Sequence, residues 1–296
     1  MLKARYEFAV IGIGILGLLG INAVPARAAL ITLSDENSQV LIDTTSPDNL
    51  IGWVVEGVSQ IDTQGFWYRV GPTAEESVQG TLTEVFSIPT DTDGDGELDQ
   101  LVSEYQNPGL FNIAFRYALE GSNPGSNRSL IFEEIEIENI SETPLDFNLF
   151  SVVDFNLNSS PDLDTLTVSR DPDTNLVTAT ETLPGTPTIA TLNTNPQTDR
   201  YQVEEVSDLF NLLTDDVPSD LALTDGPANI ADADTSFAFQ FIRLIEPGQS
   251  VLFSQSLFVE DVVPPVVSVP EHSSPLSVIA ISAIGGGLLL KHRQKK

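Results

Sequence analysis

A chain of 296 residues with 13 Lys and Arg against 43 Asp and Glu carries a formal net charge of −30. Seven of the basic residues sit in the first 28 or the last six positions, so residues 29–268 hold six arginines against 41 carboxylates, a balance of −35, without one Lys, His or Cys. That composition excludes Ser-His-Asp and Cys-His catalysis, thiolate or imidazole zinc sites, haem attachment, Schiff bases and a phosphate-binding lysine, and it repels nucleic acid.

The chain opens MLKARYEF, with Lys3 and Arg5 ahead of an apolar run from Ala9 to Val24. Pro25-Ala26-Arg27-Ala28 follows, placing Ala26 and Ala28 at the small-residue positions a signal peptidase requires. A positive start, a short apolar core and an A-x-A site are the three parts of a secretory signal, and the run falls short of the ~20 residues a membrane span prefers. Residues 1–28 are therefore expected to be a removed signal peptide, with the mature chain beginning at Ala29 outside the cytoplasm.

Residues 29–261 read as one acidic, all-β body. Fifteen β-branched or aromatic runs follow one another, among them LITLS, QVLID, LIGWVVEG, GFWYRV, LFNIAFRYAL, LIFEEIEIENI and SFAFQFIRLI. Clusters such as NPG, GSNPGSN and EPGQ separate them. Such spacing predicts an antiparallel β-sandwich or extended double sheet. The one plausible helix is short, Ser207 to Leu213 (SDLFNLL). Without disulfides, a body of this length still buries a sufficient core.

Three stretches within it carry chemistry. GFWYRVG places Phe66, Trp67 and Tyr68 in succession beside Arg69. On a strand they split between two faces, so at least one ring is expected outward or in a groove, where Trp67 or Tyr68 offers a sugar a stacking surface; the commoner use of such a strand is core. PTDTDGDGELDQL, residues 89–101, copies the first nine positions of an EF-hand-type calcium loop. Asp91, Asp93 and Asp95 alternate, Gly96 permits the sharp turn, Glu97 supplies a backbone carbonyl and Asp99 a further carboxylate. The twelfth position is Val102, and Glu104 stands two residues beyond as a substitute ligand. The competing reading is an acidic hairpin tip, since Asp-Gly is favoured turn chemistry. In EEIEIEN, Glu134, Glu136 and Glu138 alternate with Ile135 and Ile137, which predicts a solvated carboxylate face backed by core.

Residues 262–275, VVPPVVSVPEHSSP, form a proline-rich spacer. Leu276 to Leu290 then runs without a charge into KHRQKK. As a helix that run reaches about 22 Å, against a hydrocarbon core of about 30 Å, and Gly285-Gly286-Gly287 weakens it. Residues 276–296 are thus expected to be a short membrane helix with a basic, cytoplasmic end.

Val269-Pro270-Glu271, an apolar helix and a basic terminus, in that order, resemble the PEP-CTERM sorting signal of Gram-negative bacteria. His272 stands where that motif has its second proline. The resemblance implies cleavage near Val269, Pro270 and Glu271 by an exosortase after transient inner-membrane anchoring, and release to the periplasm or cell surface. It also implies an association with exopolysaccharide. The expected function is a non-enzymatic surface or matrix protein stabilised by calcium. The alternative is a secreted carbohydrate-active enzyme working through a carboxylate pair, whose mark is two carboxylates flanking a groove.

Overall fold

The computed structural model describes residues 30–46, 49–160, 164–171, 173, 177–183, 188–195, 197–215 and 228–261. The expected signal peptide, spacer and tail helix, with Ala26, Ala28, Val269, Pro270 and Glu271, lie outside the described residues. Among the described residues no helix is long and apolar enough to cross a membrane.

The first strands are β1 (Leu30–Asp35), β2 (Ser38–Asp43), β3 (Leu50–Val55), β4 (Val58–Val70) and β5 (Ser77–Val78). Next come β6 (Thr83–Thr90), β7 (Gln100–Asn107), β8 (Phe111–Glu120), β9 (Ser129–Asn139) and β10 (Leu145–Phe155). Then follow β11 (Asp164–Arg170), β12 (Val177–Thr182), β13 (Thr188–Asn195), β14 (Arg200–Glu205) and the helix α1 (Val206–Thr214). β15 (Ala228–Ala233), β16 (Thr235–Ile245) and β17 (Ser250–Asp261) complete the order.

Two antiparallel sheets result. One runs β1-β2-β3-β4-β10-β16-β14, with β5 added against β4; the other runs β15-β11-β12-β13-β17-β9-β8-β7-β6. Their pairing follows from side-chain parity. In β8, Phe111, Ile113, Phe115, Tyr117 and Leu119 are buried while the residues between them are not, and β9 alternates in the same way. A strand with one apolar face needs a second sheet to cover it. Aromatic contacts bind the faces: Phe66 meets Phe115 at 5.1 Å between ring centroids, Phe111 meets Phe147 at 5.0 Å and Phe241 meets Phe253 at 5.0 Å.

Each of the fifteen apolar runs forms a strand. β5 and β15 are additional; the first has two residues and the second, ANIADA, has only one β-branched residue. The expected helix is present as α1, and it changes the centre of the sheet beneath it. Leu209 and Leu213, one turn apart, pack with Trp67, Phe150, Val152 and Ala238, so β4, β10 and β16 are buried on both faces.

Candidate functional site

The Asp-rich stretch is the tip of the β6–β7 hairpin, and its carboxylates fold back onto their own backbone. Asp91 accepts from the N–H groups of Gly94 and Gly96 at 2.6 and 3.0 Å, Asp93 from Asp95 at 3.1 Å, and Asp95 from Glu97 at 2.7 Å. Gly94 and Gly96 have φ of 85° and 100°, which a Cβ would penalise. Asp99 is buried and accepts from the backbone and hydroxyl of Thr92. Coiled in this way, Asp91, Asp93 and Asp99 present oxygens within 4.8 Å of one another. The Asp93 carboxyl stands above its usual range: the Asp95 N–H lowers it, but desolvation and the charges of Asp95, Asp99 and Asp91 outweigh that bond. Carboxylate oxygens gathered so closely are the donor set of a hard cation such as calcium.

Two features of this loop differ from expectation. Glu104 lies in β7 on the outer sheet face, where burial first, then Glu138 and Glu136, raises its carboxyl; it belongs to that face rather than to the loop. The residue that does approach is Asp35 of β1, whose oxygens come within 4.8 Å of those of Asp93 and Asp95. Asp35 is distant in sequence and carries no local signal; only the meeting of the two sheets brings it in. The Ser34 N–H donates to the Leu98 carbonyl at 2.7 Å and fixes the approach.

The same end of the sandwich is laced by short polar contacts. The Asn37 side chain accepts from Ser122 N–H at 2.9 Å and donates to Glu56 at 2.9 Å, while Glu56 also accepts from Gly125. Gly121 packs so closely on Asp35 that a Cβ there would lie 2.0 Å from its carbonyl oxygen. A polar cleft of about 360 Å³, lined in part by Ser34, Asn37, Glu56 and Glu97, opens beside the loop.

The aromatic stretch corrects the expectation of a glycan platform. Phe66, Trp67 and Tyr68 are all buried. Phe66 and Tyr68 point between the sheets; Trp67 points the other way but lies under α1, edge-on to Phe210 at 5.4 Å. Alternation alone leaves that face open, and α1 closes it. Beside Trp67, Arg69 forms a buried ion pair with Glu76 at 2.8 Å and sits over the Phe150 ring at 5.8 Å. A cleft of about 230 Å³ separates α1 from β5, lined in part by Trp67, Glu75, Ser77, Thr81 and Leu213. Its walls mix carboxylates and hydroxyls with apolar side chains.

The alternating glutamates behave as predicted: Ile135 and Ile137 are buried, and Glu134 and Glu136 lie outside near Arg116, at 3.8 and 3.6 Å. Parity also turns Glu133 inward, on the face of Ile135 and Ile137. Glu133 is buried between the sheets, where Gln64 and Gln255 donate to Oε2, and burial pushes its carboxyl up to about 7 against those two lowering bonds.

No protein-family model matches the chain, and no curated protein matches it. Among solved structures it is similar to a bacterial glucoamylase complexed with acarbose, with a TM-score of 0.52 and 10% identity, covering 82% of this chain and 35% of that one. It is similar to the Slr1438 protein of Synechocystis sp. PCC 6803, with a TM-score of 0.50 and 11% identity, covering 82% of this chain and 99% of that one. An aldose epimerase homologue from C. elegans gives a TM-score of 0.48 at 9% identity, covering 80% and 100%. The chain thus spans about a third of the glucoamylase but nearly all of Slr1438. At these identities what is shared is the fold, a sandwich of two large antiparallel sheets.

Proposed function

We propose that the chain is an exported, carbohydrate-active protein whose body engages a glycan and whose acid–base chemistry is carried by carboxylates. One observation carries the reading: its two-sheet fold also occurs in a bacterial glucoamylase that holds acarbose. The chain spans 35% of that enzyme at 10% identity, so the likeness supports the carbohydrate reading through the shared fold and carries nothing of the enzyme's own reaction. The composition supports the carboxylate part, since residues 29–268 contain no His, Cys or Lys.

The signal and sorting segments send the body out through signal peptidase and exosortase. Calcium sits in the β6–β7 loop on Asp91, Asp93, Asp95, Asp99 and the Glu97 carbonyl, with Asp35 closing it from the other sheet. Exopolysaccharide is the glycan partner.

A second reading, a non-enzymatic matrix protein, is favoured by a specific observation. Glu133, whose carboxyl rises to about 7, is sealed between the sheets, away from any substrate. One experiment separates the readings. The mature protein is run through gels containing candidate polysaccharides and incubated with the same glycans while reducing ends and optical rotation are followed. Retardation with turnover supports the enzyme and retardation alone the matrix protein. Neither retardation nor turnover across a panel of acidic and neutral polysaccharides sinks the carbohydrate reading.

A further inference from the structure

We propose that Glu133 and Gln64 form a protonated carboxyl–amide pair that latches the two sheets together and weakens, by the loss of one of its two hydrogen bonds, as the surroundings turn alkaline. Glu133 lies on β9 of one sheet and Gln64 on β4 of the other, and both are buried. Gln64 Nε2 donates to Glu133 Oε2 at 2.8 Å, and Gln255 Nε2 donates to the same oxygen. Two atoms are left over: Glu133 Oε1 and Gln64 Oε1, both buried and neither with a donor. A buried acceptor without a donor is unfavourable, and this pair of side chains leaves two. One proton on Glu133 Oε1 resolves both at once, because the carboxyl O–H then donates to the Gln64 carbonyl oxygen and closes a ring of two hydrogen bonds.

The surroundings agree with a neutral carboxyl. The neighbours on β4 and β17, Gln64 and Gln255, are uncharged amides. On β8 the cross-strand neighbour is Tyr117, which donates to Asn49 Oδ1 and whose phenol burial holds well above its usual range, so it stays neutral too. Among the described residues no cation is paired with Glu133. Burial raises its carboxyl from 4.5 to about 7, although both amide donors pull the other way.

The sign follows from the unfolded chain, where a glutamate ionises near 4.5. The contribution of Glu133 to folding is fully present below that pH. Between 4.5 and about 7 the unfolded state gains a charge the folded state resists, so stability falls. Above about 7 the folded protein also ionises, the O–H bond to the Gln64 oxygen is lost, and only the two amide N–H bonds to Oε2 remain.

The test compares the exported chain with its Glu133→Gln variant, in which an amide N–H replaces the carboxyl O–H without titrating. The wild-type unfolding constant should rise relative to the variant by about two orders of magnitude between pH 4.5 and 8. A protonated-carboxyl carbonyl band should be present in the wild-type infrared spectrum at pH 6 and absent from the variant. Parallel pH profiles, or no such band at pH 6, overturn the latch. Should the variant fail to fold, carboxyl carbon-13 NMR of the wild type decides. A glutamate titrating near 7 with contacts to the Gln64 amide protons is expected; its absence overturns the proposal.

Discussion

Asp35 on β1 and Asp93 in the β6–β7 loop bring carboxylate oxygens to within 4.8 Å of each other from the edge strands of opposite sheets. A cation shared by them would join the sheets where neither has a further strand to pair with.

Calcium should accordingly act on stability. At a hundredfold excess over its dissociation constant a ligand bound only by the folded state contributes about 2.7 kcal/mol. The thermal midpoint of the protein should rise with millimolar calcium and fall with chelator. Asp35→Asn should shrink that shift, whereas Asp62→Asn, at an exposed position of β4, should leave it alone. A midpoint indifferent to calcium would reduce the loop to a hairpin tip.

Gly121→Ala tests the docking beneath that loop. The new Cβ would meet the Asp35 backbone at 2.0 Å, and backbone cannot swing aside as a side chain can. A loss of about 1–3 kcal/mol in denaturant unfolding is expected, the usual cost of forced overpacking. Gly109→Ala gives the comparison, since nothing lies within 4 Å of its Cβ position and only its φ of 80° is strained.

The Arg69–Glu76 pair should prove costly to break from either side. Both side chains are at most 5% exposed, so Arg69→Met leaves a buried carboxylate and Glu76→Gln a buried guanidinium. Each should lose about 3–5 kcal/mol by chemical denaturation. The double variant should recover part of that loss, because no unpaired charge then remains.

The sequence carried the strands well because their signal is local: alternation and turn residues lie within a few positions of each other. It also held Glu133, two residues before Ile135 and so on the same strand face, beside three glutamates whose parity is the opposite. Two features were not legible there. Asp35 reaches the loop only because β1 and β6 end their sheets on the same side. Trp67 is covered by α1, whose residues lie some 140 positions later. Both depend on which distant segments meet, and parity along one strand cannot supply that.

The centre of the doubly covered sheet has a consequence for how the chain folds. Trp67 pairs with Phe150, 83 residues on, and Phe150 with Gln240, a further 90. Strands so far apart cannot zip from a neighbouring turn, so closing the middle of the sheet must wait until most of the polypeptide is in hand. High contact order of this kind slows folding towards milliseconds or seconds. The sheet's centre therefore stays open until β16, the partner of β10, is available, however early its other strands have formed.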